Sequence, residues 1–182
     1  EAGAKFVILQ VGYDARKMQE VITWLKVNNF NTPVLANIYI LPYGAARTMN
    51  AGNIPGCVVT DKLLAQLDEE RSAKDKGKQT RLDRAAKMYA IAKGMGYAGA
   101  HIGGHGIGYD TVEYIITKGE ELAPKWQELL PEFDFPQKNG FYLFERDEKT
   151  SLNTEKYAER KEKGTHPFVY TLSRAAHATL FN

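Results

Sequence analysis

The chain holds one cysteine, Cys57, among its 182 residues. A lone cysteine excludes an intrachain disulfide and fits a reducing compartment, so the expected location is cytoplasmic. Charge of one sign is also scarce: 24 Lys and Arg stand against 22 Asp and Glu, a formal net charge of +2. That balance predicts neither a nucleic-acid partner nor a membrane surface. No apolar run approaches the ~20 residues of a membrane-spanning helix. A Ser-His-Asp or Cys-His arrangement, a paired-carboxylate motif, a P-loop and a zinc knuckle are missing as well, so none of those chemistries has a foothold in the sequence.

What is present is a globular composition, 43% hydrophobic, long enough to bury a core. The opening "EAGAKF" has no methionine and reads as a helix end, a glycine cap and the start of a strand, so the expectation is the later part of a longer polypeptide. Near-continuous apolar stretches at 5–12, 32–42, 54–60 and 97–104 predict strands buried on both faces. Amphipathic stretches lie between them. Asp14 is a candidate N-cap for a helix whose Met18, Val21, Ile22 and Leu25 share one face. A short helix is expected at about 44–52, then one capped by Thr60, then a longer one over 78–96. Asp110 and Glu113 suggest a capping box for a last helix ending near 119. The order β-α-β-α-β-αα-β-α implies an α/β fold with a parallel sheet and right-handed crossovers. Four such units are half of a (βα)8 TIM barrel or most of a doubly wound sheet, and the pattern itself favours neither.

Residues 1–119 carry this alternation, and 120–182 read as an aromatic, charged extension. Trp126, Phe133, Phe135, Phe141, Tyr142 and Phe144 are the expected staples onto the body. Residues 145–164 hold six basic and six acidic side chains, a solvated balance, and 170–181 predict a final amphipathic helix.

The candidate site residues lie at strand ends. "HIGGHGIGYD" (101–110) places Gly103, Gly104, Gly106 and Gly108 between a strand and a helix. Backbone amides there could hold an anion, or the glycines could let the strand end approach a neighbouring backbone or a ligand ring. His101 and His105 straddle this turn with no third ligand nearby, so no metal is expected. Gln10 is a primary amide ending an apolar strand, with donor and acceptor side by side, suited to the edge of a pterin or flavin. Tyr43 could wall a flat ligand, and Arg47 could meet a carboxylate. Asn37 reads as a buried, hydrogen-bonded strand residue and Cys57 as a small buried hydrophobe; His166 and His177 read as surface or core residues.

The succession "AGAKFVILQVGYD", "VLANIYILP", "NIPG" and "AGAHIGG" resembles the second half of the methylenetetrahydrofolate reductase family over about residues 2–119. The resemblance implies the C-terminal four βα units of a flavin-containing (βα)8 barrel. It implies FAD as cofactor and a folate-type small molecule as substrate, reduced from methylene-folate to methyl-folate by hydride transfer. Gln10 would match the glutamine of the folate and flavin site, Ile8 an apolar flavin neighbour and Pro42 the proline after the sixth strand. His101 to His105 would match the eighth-strand end that closes over the pterin. The residues that act on the folate would lie upstream of Glu1, so this stretch alone is expected to be inactive without its missing N-terminal half, a second copy or a partner subunit. Departures from the family pattern include Leu9, Gly12, Tyr13, Tyr39, Thr48 and Gly52, which imply a wider or differently used pocket. The same barrel could instead bind a methyl-folate for methyl transfer, or serve as a non-catalytic scaffold.

Overall fold

The computed structural model describes residues 3–138 and 140–159. The helix expected over 170–181, with His166 and His177, lies outside the described residues. Three parallel strands form one sheet in the order β1 (Val7–Ile8), β2 (Val34–Tyr39), β3 (Gly99–Gly103). Ile8 stands opposite Leu35, Asn37 opposite His101, and Tyr39 opposite Gly103. Side chains alternate across a strand, so register partners in a parallel pair share a face. Val34, Ala36 and Ile38 of β2 point into the core and are buried. Ile8, Leu35, Asn37, Tyr39, Gly99, His101 and Gly103 therefore belong to the opposite face.

Helix α1 (Ala15–Val27) starts where Asp14 accepts from the Arg16 backbone N–H at 3.3 Å. Its apolar stripe, Met18, Val21, Ile22 and Leu25, packs on the core as the 3.6-residue spacing requires. Two short helices follow β2: α2 (Tyr43–Asn50) and α3 (Asp61–Glu70), the latter capped by the Thr60 hydroxyl accepting from Leu63 N–H. Helix α4 (Lys78–Gly94) is the central core helix, rich in buried small residues such as Ala85, Ala86, Ala90 and Ala92. Small side chains let the sheet, helix α5 (Tyr109–Leu122) and the following 3-10 segment (Ala123–Phe133) all pack closely on it. Gly94 shows how closely: the Trp126 ring lies where a Cβ would project.

Three expectations are corrected. Residues 54–60 form no strand, and β2 pairs directly with β3, so the sheet has three parallel strands rather than four. Pro55 has no backbone N–H, and Gly56 sits at φ +78, which breaks extended pairing. Cys57 and Val59 bury their side chains from a loop, tied down by the Asn50 amide donating to the Val59 carbonyl at 3.0 Å. Second, none of the three strands is buried on both faces: β2 buries alternate residues only, and no residue of β1 or β3 is fully buried. In β1 only Val7 and Ile8 pair, and Phe6 and Ile8 are 55% and 46% exposed. Among the described residues nothing covers their outward face. Third, α5 begins at Tyr109 with Gly108 as its N-cap, and no side chain caps it. The turn at Gly106 (φ +68) starts the helix before Asp110 can act as cap, leaving Asp110 in the first turn.

The segment beyond residue 120 packs onto the body from two sides. The 3-10 segment lies on α4. The hairpin of β4 (Phe144–Arg146) and β5 (Asn153–Tyr157) straps across α1. There Arg16 donates to the Phe144 carbonyl at 2.8 Å and to Asn153 Oδ1 at 3.1 Å, and the Asn153 amide donates back to the Arg16 carbonyl at 2.7 Å. Phe133, Phe135 and Phe144 are buried staples, and Trp126 and Tyr142 are half-buried. Phe141 departs from the expected set: it is 58% exposed, with the Lys17 ammonium of α1 5.7 Å from its ring centroid. No helix among the described residues is long and apolar enough to cross a membrane.

Candidate functional site

The carboxyl ends of parallel strands are where α/β folds collect ligands, because the loops there diverge and leave a crevice. Where β1 runs out, the backbone of residues 9–14 turns over α1 and borders a cavity of about 710 Å³. Gln10 lies on its rim beside Gly56. Met18, Val21 and Trp24 of α1 supply one apolar wall, Leu63 of α3 another, and Phe135 and Leu143 of the extension a third. Asp14, Lys17 and Glu20 add polar groups, with Lys17 and Glu20 paired at 2.6 Å.

Each polar group has an identifiable restraint. Gln10 Oε1 accepts from Val11 N–H at 2.9 Å, which leaves its Nε2 as the donor end. The buried Tyr13 hydroxyl donates to the Tyr39 carbonyl at 3.2 Å, pinning the turn to the end of β2. Burial pushes the Tyr13 phenol far up, so it stays protonated. Burial likewise raises the Asp14 carboxyl above the usual carboxylate range, opposed in part by hydrogen bonds from Tyr142 and from Arg16 N–H. The Arg16 guanidinium stacks 3.9 Å from the centroid of the Tyr142 ring, and burial lowers its pKa. The arrangement can receive a flat, mainly apolar molecule and offer an amide donor at its edge. Cys57 is buried and does not line it.

A second cavity, of about 380 Å³, opens at the ends of β2 and β3. His105 and Gly106 border it together with Pro42, with Lys78 and Arg81 from the start of α4, and with Thr111 from the start of α5.

The residues singled out from sequence are thus divided among five places. Gln10 rims the first cavity and His105 the second. Ile8, His101 and Gly103 lie on the uncovered sheet face, where His101 Nδ1 is 3.3 Å from Asn37 Oδ1, a contact that suits a proton on Nδ1. Gly104 sits against Ile40, with only 3.1 Å between the Ile40 Cβ and the place where its own Cβ would stand. Tyr43 and Arg47 are on α2 and line neither cavity. The Tyr43 ring carries the Arg71 guanidinium 4.3 Å from its centroid, and Arg47 is exposed. Trp24, Lys17, Glu20 and Leu143 border the first cavity but were not signalled by sequence. The helical stripe of α1 includes Met18 and Val21 but not Trp24, Lys17 or Glu20, and nothing local ties Leu143 to Gln10. Among the described residues, no three His, Cys, Asp or Glu side chains gather as metal ligands. Comparison of the chain with protein-family models, with curated proteins and with solved structures finds no match.

Proposed function

We propose that the chain supplies one side of a binding site for a planar heterocycle, as the C-terminal part of a (βα)8 barrel of the methylenetetrahydrofolate reductase type. The complete protein would then reduce a methylene-folate to a methyl-folate by hydride transfer through FAD. The observation that carries this is the position of Gln10: an amide on the rim of a cavity of about 710 Å³, at the carboxyl end of a parallel sheet. The residues present fit the edge and one face of a flavin or pterin ring. Gln10 would meet the polar edge through Nε2, while Val21, Trp24 and Phe135 would exclude water from the apolar face. Bound FAD would supply the hydride. Tyr13 and Asp14 would keep the Gln10 turn in place through their bonds to the Tyr39 carbonyl and Tyr142. No catalytic acid is assigned within the chain. In this barrel the uncovered face bearing Ile8, His101 and Gly103 would look inward.

Trp24 borders the cavity, so its fluorescence reports occupancy. Titration of the full chain with FAD, and separately with a methyl-folate, is expected to quench it saturably. Gln10→Ala should weaken binding about tenfold, the value of one hydrogen bond to a ring edge, with an unchanged circular-dichroism spectrum. Absence of binding by both ligands, or an unchanged affinity in Gln10→Ala, overturns the reading. A second reading, a non-catalytic docking scaffold, is favoured by the exposed apolar Phe6, Val7 and Ile8. It predicts that neither ligand binds.

A further inference from the structure

We propose that the cavity beside His105 binds the phosphate group of a ligand. It is a separate concavity from the one Gln10 borders, and the proposal does not rest on the flavin reading.

Two basic side chains, Lys78 and Arg81, enter this cavity with His105, and no Asp or Glu lines it. Charge in the sequence is nearly balanced, so such a one-sided lining is a local arrangement rather than a reflection of composition. The acids nearest in sequence are otherwise engaged or turned elsewhere. Asp75 spends its carboxylate on the start of α4, accepting from Gly77 N–H at 3.0 Å and Gln79 N–H at 2.8 Å. Asp110 is exposed in the first turn of α5 and does not border the cavity. Arg81 donates through Nη1 to the Lys76 carbonyl at 2.7 Å, which fixes its guanidinium plane and leaves further N–H donors.

Thr111, in the first turn of α5, also borders the cavity. The polar groups come from two segments: a point charge from Lys78 and a planar fork from Arg81 at the start of α4, and an imidazole from His105 in the turn after β3. Donors converging from several directions suit a tetrahedral anion with many acceptor oxygens better than a planar carboxylate, which a single fork satisfies. Pro42 and Ile107 give the cavity apolar sides.

The test is calorimetric titration of the full chain at low salt with inorganic phosphate, pyrophosphate and adenosine diphosphate in parallel. Saturable binding is expected, about tenfold weaker in Lys78→Met and in Arg81→Met and unchanged in Gln10→Ala. Arg81 also holds the Lys76 carbonyl, so Lys78→Met, at an exposed position, carries the result if Arg81→Met loosens α4. Tighter binding of adenosine diphosphate than of pyrophosphate would identify a nucleotide as the source of the phosphate. Equal binding would identify the phosphate group alone. No saturable binding of any probe, or the same affinity in Lys78→Met, overturns the proposal. Failure of FAD and methyl-folate to bind beside Gln10, with these results intact, would sink only the flavin reading.

Discussion

The Tyr142 hydroxyl donates to Asp14 Oδ2 at 2.5 Å, across 128 positions of sequence. The same carboxylate caps α1 through Arg16 N–H. One side chain thus both starts a helix and receives the strap laid over it. Tyr142→Phe keeps the ring beneath Arg16 and removes only the donor. Denaturant unfolding should show a loss of about 1–2 kcal/mol, a hydrogen bond to a charged group in a half-buried place. A loss near zero would mean that the strap holds by Arg16 and Asn153 alone.

The Asp14 carboxyl has a folded-state pKa above its ordinary 3.8, chiefly because burial disfavours its charge. The folded protein therefore binds that proton more tightly than the unfolded chain. Its contribution to stability falls as pH rises from about 4 through the folded pKa, and is level beyond it. Asp14→Asn keeps a cap oxygen and cannot titrate. Its stability relative to the parent should climb across that window. Urea unfolding in steps from about pH 3.5 to 7 measures the difference, and a difference independent of pH would show that the carboxyl titrates ordinarily.

Gly94 ends α4 with the indole of Trp126 against it. Alanine at a helical glycine ordinarily gains up to about 1 kcal/mol. Here the added methyl meets ring atoms rather than a flexible tip, and overpacking costs about 1–3 kcal/mol. Gly94→Ala should be destabilising on balance. Gly94→Ala combined with Trp126→Leu should recover part of the loss, measured as coupling in a double-mutant cycle.

Arg84 and Glu70 pair with only 12% and 14% of their side chains exposed, joining α4 to the end of α3. Removing one partner leaves a half-buried charge uncompensated. Glu70→Ala should cost about 2–4 kcal/mol, and Glu70→Leu with Arg84→Met should recover most of it. Equal losses for the single and double variants would show that the pair matters through packing rather than charge.

What sequence conveyed well was local chemistry. Asp14 and Thr60 act as caps because a side-chain oxygen two or three residues from an unpaired amide needs no distant help. Helix α4 follows its pattern from Lys78 to Gly94. Residues 54–60 misled because alternating burial of Cys57 and Val59 looks alike in a strand and in a packed loop. Only pairing distinguishes them, and β2 had already taken β3 as its neighbour. Gln10 was conspicuous as an amide ending an apolar run. Lys78 and Arg81 were not, since a basic helix start is ordinary until folding brings it to the turn after β3. Tyr142 was marked as a staple, but its partner was beyond reach of any local pattern.

The shortness of β1 has a practical side. Two residues pair with Val34 and Leu35, while Phe6 offers a bare aromatic ring next to an unoccupied strand edge. Such an edge can template cross-chain growth, and no proline or inward charge within Phe6–Ile8 acts as gatekeeper. Concentrated solutions of this polypeptide should therefore aggregate by edge-to-edge accretion, and a lysine in place of Val7 should restore their clarity.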